Sequence, residues 1–136
     1  LVSNFYLLGY YTQFMGWLRR KLGLGVGVKR FNKDNVGKLT NDGGIYEFYD
    51  KFGRKIYIGR ASGGRNSNGK RAYGLKHRVS SYHQKDDFGS DDGHPTKKAL
   101  RPEIAFFDTT IINNKTERRS IEKRLRKRHG YKHNHI

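Results

Sequence analysis

Cysteine is absent from this 136-residue sequence, and acidic side chains are scarce, since twelve Asp and Glu stand against twenty-nine Lys and Arg. Without cysteine the chain has neither a disulfide framework nor a Cys-based zinc site, although this alone does not fix its compartment. No run reaches about 18 uninterrupted apolar residues, which argues against an integral membrane span. The net charge of +17 indicates a polyanionic partner, most often nucleic acid and less often an anionic membrane.

The first 42 residues are expected to form an amphipathic helix and a linker. Residues 3–22 carry apolar side chains at helical spacing, and the glycines from position 23 would end that helix. Its apolar face fits packing on the rest of the domain, which is the commoner arrangement, or docking on a membrane surface or a partner. Residues 29–42 are polar and turn-rich, which is typical of a linker or an irregular lead-in. The chain has room for one modest core, and residues 43–136 are the predicted domain.

A β-hairpin is predicted between residues 44 and 60. Two runs rich in β-branched and aromatic residues flank the polar, glycine-containing turn Asp50–Gly53. Tyr46 and Tyr57 would then lie on adjacent strands, where cross-strand aromatic packing is their ordinary explanation. A basic loop rich in Gly, Ser and Asn follows at 61–71.

Helices and one further strand are expected in the remainder of the chain. Apolar spacing predicts a helix from Tyr73 to about Tyr82, and the Asp-rich segment 86–95 breaks it before a short helical turn at 97–100. Residues 103–112 are β-branched and aromatic and predict a third, largely buried strand. The pattern therefore indicates an α/β fold in which a small central antiparallel three-stranded sheet is flanked by helices.

A final helix is predicted to begin after Asn114, which can cap it, and to end at Gly130. Glu117 lies where the second residue of a capping pair would be, so its position has an explanation without chemistry. Glu122 lies in the middle of this helix among Lys and Arg. From the residues alone, an i,i+4 surface pair with Arg118 or Arg126 is the simpler interpretation of Glu122.

Five motif elements in this order resemble the GIY-YIG nuclease family. They are Gly44-Ile45-Tyr46, then Tyr57-Ile58-Gly59 after ten intervening residues, then Arg78, Glu122, and Asn134 twelve residues after Glu122. The helical segment 75–82 also looks like the equivalent helix in the nuclease domain of the UvrC repair proteins. The resemblance covers residues 43–136 and implies a GIY-YIG endonuclease-like fold.

The resemblance also implies roles for individual residues. Glu122 would hold a divalent cation, and Mg²⁺ (or Mn²⁺) suits it, because Mg²⁺ keeps most of its waters and takes only one or two carboxylates. Arg78 would contact the scissile phosphate with its planar, permanently charged fork. Tyr46 would activate or orient the attacking water, for which nearby cations would have to lower a phenol pKa of about 10. The predicted catalytic residues are Tyr46, Tyr57, Arg60, Arg78, Tyr82, Glu122 and Asn134, of which Asn134 would tie the C-terminal segment to the site.

Residues outside this set are expected to bind the nucleic-acid backbone. A loop such as 61–71 can place amides and cationic side chains along a phosphate chain. His129, His133 and His135 suggest a metal cluster, but Gly130 interrupts the helix that would align them, so a contribution to a basic surface is the simpler interpretation. The predicted nucleic-acid-binding residues are Arg65, Lys70, Arg71, Lys76 and His83.

The function favoured by these features is a divalent-metal-dependent endonuclease that hydrolyses phosphodiester bonds in DNA, although the residues do not distinguish DNA from RNA. The alternative from another class is a non-catalytic, basic nucleic-acid-binding module, which the charge alone would support. Either function predicts binding that weakens steeply with salt, because each neutralised phosphate releases counterions.

The biological setting has two competing interpretations. A start without Met, an aromatic amphipathic segment and little room for a recognition domain suit the toxin part of a larger secreted effector. Such a toxin would act in the cytoplasm of a target cell and would have an inhibitor or immunity protein as a partner. A standalone phage, mobile-element or restriction nuclease is the other interpretation.

Overall fold

The computed structural model describes residues 27–64, 68–69, 73–83 and 95–134. Within these ranges, four strands form one antiparallel sheet, in which the first strand pairs with the fourth, the fourth with the second, and the second with the third. The strands are β1 (Lys29–Arg30), β2 (Gly44–Tyr49), β3 (Lys55–Ala61) and β4 (Phe106–Ile111). The helices are α1 (Lys33–Gly37), α2 (Leu75–Ser80), α3 (Pro95–Leu100), which continues into a 3-10 turn at Arg101–Glu103, and α4 (Lys115–His129).

The predicted α/β fold with an antiparallel sheet and flanking helices is confirmed, and the described part of the sheet has four strands instead of three. The additional strand, β1, lies in the segment 29–42 that the sequence predicted to be a linker or irregular lead-in. It pairs with β4, and α1 follows it with Val36 buried. A two-residue strand is too short to show a period of two, which is why the pattern did not reveal it. The predicted helix at 3–22 lies outside the described residues, and the predicted division of the chain at residue 43 stays a prediction.

The β2–β3 hairpin closes through the side chain of Asp50. Its Oδ1 accepts hydrogen bonds from the backbone N–H groups of Phe52 and Arg54, both at 2.9 Å. The backbone of Gly53 has φ 78°, a conformation that favours glycine. The turn therefore fixes the register of the two strands, in which Tyr46 pairs with Gly59.

Each face of the sheet carries a hydrophobic cluster, because successive side chains of a strand point to opposite faces. Tyr46 and Phe48 of β2 lie on the face covered by α2, whereas Ile45 lies on the face covered by α4. The first cluster also holds Leu75, Val79 and Tyr82, and the second also holds Ile58, Leu125 and Tyr131. The sheet is thus a layer between helices, and its β2–β3 edge lies close to both α2 and α4.

Helix α4 begins and ends as the sequence predicted. Oδ1 of Asn114 accepts a hydrogen bond from the Glu117 backbone N–H at 2.9 Å, and Gly130 ends the helix in the left-handed conformation with φ 56°. No helix within the described residues is long and apolar enough to cross a membrane. The segment after Gly130 turns back along β3, where the His133 N–H donates to the Ile56 carbonyl oxygen at 2.8 Å. The segment therefore covers an edge strand that would otherwise present unpaired backbone groups.

Candidate active site

An open cleft of about 410 Å³ lies between the β2–β3 hairpin, α2, α3 and α4. Strands β2 and β3 contribute two tyrosines and an arginine, and α2 with its C-terminal turn contributes Arg78 and Tyr82. Helix α4 and the segment after it contribute the rest. All seven predicted catalytic residues line this cleft: Tyr46, Tyr57, Arg60, Arg78, Tyr82, Glu122 and Asn134. Residues that are as much as 88 positions apart in sequence therefore meet in one place, as the motif order implied.

Three tyrosines form one wall of the cleft. The ring centroids of Tyr46 lie 6.1 Å from Tyr57 and 6.0 Å from Tyr82, and the Tyr57 and Tyr82 centroids are 6.4 Å apart. The hydroxyl oxygens of Tyr46 and Tyr82 are 3.2 Å apart, within hydrogen-bond distance. Gly59 makes this arrangement possible, because a Cβ at that position would overlap Cζ and the hydroxyl oxygen of Tyr46. The last glycine of the second motif is thus explained by the close approach of the Tyr46 ring to the β3 backbone.

The Tyr46 phenol keeps its proton in this environment. Burial raises its pKa well above the usual value, the neighbouring Tyr82 and Tyr57 raise it further, and Arg78 opposes them. Burial also raises the pKa of Tyr82. The sequence predicted that nearby cations would be needed to lower the pKa of Tyr46. In this structure Arg78 does act in that direction, but desolvation outweighs it.

Glu122 is buried at the centre of the cleft wall formed by α4, with 4% of its surface exposed. Its Oε1 accepts hydrogen bonds from two nitrogens of Arg126, Nε at 3.1 Å and Nη2 at a shorter distance. Its Oε2 lies 3.8 Å from Nε of Arg60, which is too long for a hydrogen bond. The i,i+4 pair with Arg126 therefore exists, but it is not a surface pair, because the carboxylate faces the cleft.

The residues of the cleft fit a divalent cation that keeps most of its waters. Glu122 supplies carboxylate oxygens, which are hard ligands. The described residues contain no group of three or more His, Asp or Glu that could hold a metal ion by themselves. A single carboxylate in an open, polar cleft suits Mg²⁺, which seldom sheds its water shell for an all-protein cage. It does not suit structural zinc, which takes four protein ligands. Glu117, the other acidic residue of α4, is exposed and is not among the residues lining the cleft.

The cleft contains cations that the sequence did not predict to be part of the site. Besides Arg60 and Arg78, five lysines and arginines line it: Lys97, Lys115, Arg118, Arg119 and Arg126. Lys115, Arg119, Glu122 and Arg126 follow one another at helical spacing, so α4 turns one stripe to the cleft. That spacing was present in the sequence, but α4 carries Lys and Arg on every side, so composition could not identify the stripe.

Arg118 contacts the backbone at the start of α4 instead of pairing with Glu122. It is buried, and its Nη1 donates hydrogen bonds to the carbonyl oxygens of Ile112 at 2.9 Å and Asn113 at 3.4 Å. These are the residues between β4 and α4, so Arg118 ties the start of α4 to the end of that strand. Of the two pairs considered for Glu122, the structure contains the one with Arg126.

Asn134 binds β3 through both ends of its amide. Its Oδ1 accepts a hydrogen bond from the Ile58 N–H at 2.8 Å, and its Nδ2 donates to the Ile58 carbonyl oxygen at 2.9 Å. Ile58 is the central residue of the second tripeptide motif. Asn134 therefore holds the strand segment that presents Tyr57 and Arg60 to the cleft.

The predicted nucleic-acid-binding residues lie outside this cleft or outside the described residues. Arg65, Lys70 and Arg71 are not described. Lys76 is exposed on α2 but does not line the cleft. His83 stacks on Phe31 with centroids 3.9 Å apart, and burial lowers its pKa, so it is a neutral packing residue in this structure. The proposed contacts of these five residues with nucleic acid stay predictions.

The C-terminal histidines have separate environments. His133 pairs with Glu103, and His129 packs edge-on against Tyr131 with centroids 6.2 Å apart. Burial lowers the pKa of His129. His135 lies outside the described residues.

Two comparisons with known proteins give relatives, whereas no protein-family model matches the chain. UvrABC system protein C of Thermobifida fusca (strain YX) is 33% identical over 86 residues, which are 63% of this chain and 11% of that protein. UvrABC system protein C of Idiomarina loihiensis is 29% identical over 107 residues, which are 78% of this chain and 15% of that protein. The chain therefore spans only a small part of the length of these relatives.

A solved structure shares the fold. It is the GIY-YIG N-terminal endonuclease domain of UvrC from Thermotoga maritima, crystallised with its catalytic divalent cation, magnesium. The match has a TM-score of 0.54 at 22% identity and covers 76% of this chain and 94% of that domain. The comparison of sequences and the comparison of structures thus both find similarity to UvrC. The resemblance to the GIY-YIG family is therefore confirmed, since the chain has the fold of this endonuclease domain and is similar in sequence to UvrC.

Proposed function

We propose that the chain is a divalent-metal-dependent endonuclease that hydrolyses phosphodiester bonds in DNA. The observation that supports it most strongly is the meeting of Tyr46, Tyr57, Arg78 and Glu122 in a single cleft. Its described lining residues include one carboxylate and seven cationic side chains. Such a cleft attracts a phosphate backbone and offers one anionic position for a metal ion. The similarity to UvrC, whose Thermotoga maritima domain was crystallised with a catalytic cation, agrees with this chemistry.

Glu122 is the residue that would hold the cation, Mg²⁺ or Mn²⁺. When bound, the cation would supply charge stabilisation for the phosphoryl oxygens and a more acidic bound water. Arg78 of α2 and Arg60 of β3 both line the cleft and can bind oxygens of the phosphate, because a guanidinium remains charged at any working pH. Together they would hold the phosphodiester against the tyrosine wall and stabilise charge that develops during hydrolysis.

The tyrosines would orient the attacking water. Because burial holds the proton on Tyr46, its phenol acts as a hydrogen-bonding group whose direction is set by Tyr82, 3.2 Å away. Tyr57 lines the cleft and is only partly buried, so it can contact water or phosphate. Asn134 would act indirectly by fixing the strand that carries Tyr57 and Arg60.

A plasmid-nicking assay tests the proposal. Purified full-length chain is incubated with supercoiled DNA in Mg²⁺ or Mn²⁺ and, in parallel, in EDTA. Glu122→Gln should abolish nicking, whereas Glu117→Gln should not, because Glu117 has the same charge on the same helix but lies outside the cleft. Glu122→Gln cutting at the wild-type rate would contradict the metal assignment. A labelled single-stranded RNA incubated under the same conditions decides between DNA and RNA as the substrate.

The same assay separates the rival function. A non-catalytic binding module would retard DNA in a gel but would leave the plasmid intact with every divalent cation tried. The presence of all motif residues in the cleft favours the enzyme, because a module that binds by charge alone needs neither the tyrosine wall nor a buried carboxylate.

The biological setting that we propose is the toxin domain of a larger secreted effector, with a standalone phage, mobile-element or restriction nuclease as the alternative. The motivating feature is the aromatic, amphipathic pattern of residues 3–22. Expression in bacteria should then be toxic, and Glu122→Gln should relieve the toxicity. Unimpaired growth with an active nuclease present would contradict the toxin setting without affecting the proposed chemistry.

A further inference from the structure

The pair between Glu122 and Arg126 has a consequence for metal binding, and this inference rests on the proposed function. Glu122 is the only carboxylate among the described residues that line the cleft, and Arg126 directs two nitrogens to its Oε1. Arg60 lies on the other side, with its Nε 3.8 Å from Oε2. The carboxylate that would hold the cation is therefore already neutralised by a neighbour on its own helix.

We propose that Arg126 is an internal counter-ion that competes with the divalent cation for Glu122 and so sets the metal affinity of the site. A cation that reaches Oε1 must displace the Arg126 nitrogens, because an oxygen that accepts two close hydrogen bonds has little capacity for a further partner. The Arg126 charge also repels the incoming cation at short range. Arg126 is thus a positioning residue, which acts through Glu122.

The position of Arg126 makes this exchange physically simple. Glu122 is buried with 5% of its side chain exposed, whereas 35% of the Arg126 side chain is exposed. The guanidinium can therefore leave Glu122 and remain solvated in the cleft, which Arg119 and Lys115 of the same stripe also line. Leaving a buried carboxylate oxygen without a partner is costly, so Arg126 is expected to leave Oε1 only when a cation takes its place.

Direct binding of Mn²⁺ to the full chain, measured without DNA by the electron paramagnetic resonance signal of the free ion, tests the proposal. Arg126→Met keeps the aliphatic part of the side chain and removes the charge. We expect it to bind Mn²⁺ about tenfold more tightly than the wild type, at about 0.15 M salt, where long-range charge effects are screened. Arg126→Lys keeps a charge but lacks the two-nitrogen fork, so its affinity for Mn²⁺ should lie between those of the wild type and Arg126→Met.

Arg124→Met is the matched control, since Arg124 is an exposed residue of α4 outside the cleft and the substitution removes the same charge. It should change Mn²⁺ affinity less than about twofold. The proposal would be overturned if Arg124→Met and Arg126→Met raised the Mn²⁺ affinity equally, or if Arg126→Met did not raise it. Thermal unfolding of each variant shows whether the fold is kept, and the Arg126→Lys result decides the matter if Arg126→Met does not fold.

A double variant separates this proposal from the proposed function. In a Glu122→Gln background, Arg126→Met should no longer raise Mn²⁺ affinity, because the competition for the carboxylate is gone. The same gain in both backgrounds would overturn the counter-ion role. If Glu122→Gln alone binds Mn²⁺ as well as the wild type, the assignment of Glu122 as the ligand fails instead, and that result is visible without any measurement of cleavage.

Discussion

The hydroxyl oxygens of Tyr46 and Tyr82 lie 3.2 Å apart on the buried wall of the cleft. One tyrosine comes from the first strand of the hairpin and the other from the turn after α2, so their contact links the hairpin to α2. Burial raises the pKa of both tyrosines, so the contact joins two neutral phenols. The pair orients a hydrogen-bonding group toward the cleft without carrying charge.

The first prediction concerns the different roles of these phenols. Tyr46→Phe should lower the single-turnover rate of DNA cleavage by about 10²-fold or more, as expected for a group that directs the attacking water. Tyr82→Phe should cost less, about tenfold, because it removes only the group that orients Tyr46. Quenched-flow or gel-based cleavage at saturating metal measures both rates. A loss in Tyr82→Phe that equals the loss in Tyr46→Phe would show that Tyr82 contacts the reacting groups itself.

Asn134 supports a second prediction, because its amide makes two hydrogen bonds with the Ile58 backbone. Asn134→Ala should lower the free energy of unfolding by about 1–3 kcal/mol, since it leaves both backbone groups without that partner. Asn134→Asp should do no better, because its second oxygen would face the Ile58 carbonyl oxygen. Urea denaturation measures the change. Lys132→Ala is the control, since Lys132 is exposed and pairs only with the partly exposed Glu103 among the described contacts, and it should stay close to the wild type.

Much of this site could be predicted because its signals are local in sequence. The hairpin was visible in two β-rich runs around a polar turn, and α4 was visible in a cap at Asn114 and a stop at Gly130. The motif order then brought Tyr46, Arg78 and Glu122 together without any coordinates. The structure places all of these residues in one cleft.

The remaining features depend on burial and on long-range contacts, which spacing does not reveal. Strand β1 has two residues and exists only because β4 lies beside it. The pKa of Tyr46 depends on desolvation, which outweighs the effect of Arg78. The sequence also offered a surface pair with Arg118 or Arg126 and a metal-binding role as alternatives for Glu122. The structure contains the pair with Arg126 and places the carboxylate in the cleft, because one carboxylate can face its helix neighbour and the cleft together.

A third prediction follows from the contact between Gly59 and the Tyr46 ring. Gly59→Ala would place a methyl group against Cζ and the hydroxyl oxygen of Tyr46, so the ring must move. We expect a loss of about 1–3 kcal/mol in the free energy of unfolding, as for other overpacked sites. Gly37→Ala is the matched control, because its Cβ would meet nothing within 4 Å and Ala favours a helix.

The Gly59 prediction can be tested by a rescue. In a Tyr46→Leu background the smaller side chain leaves room for the added methyl group, so Gly59→Ala should cost clearly less there. Chemical denaturation of the four variants gives the coupling between the two positions. An equal cost in both backgrounds would mean that the methyl group disturbs the strand backbone rather than the Tyr46 ring.

A fourth prediction concerns pH, because His83 is held in its neutral form. Burial lowers its pKa below the usual 6.5, Lys33 lowers it further, and a hydrogen bond with the Asn32 backbone opposes them. A histidine whose folded pKa is lowered binds fewer protons in the folded state than in the unfolded state below about pH 6.5. Its contribution to stability is therefore fully present above pH 6.5 and is lost as the pH falls from there toward the folded pKa.

The measurement is the free energy of unfolding at pH 7.5 and at pH 5.5 for the wild type and His83→Phe. Phe keeps the stacking on Phe31, which in the wild type has centroids 3.9 Å apart, but it cannot take up a proton. The acid-induced loss of stability should shrink in this variant, by at most about 1.4 kcal/mol per pH unit, the limit for one proton. His129, whose pKa burial also lowers, should account for part of the loss that remains. If the free energy of unfolding of His83→Phe falls between pH 7.5 and pH 5.5 as much as that of the wild type, the protonation of His83 does not limit the stability of the fold in acid.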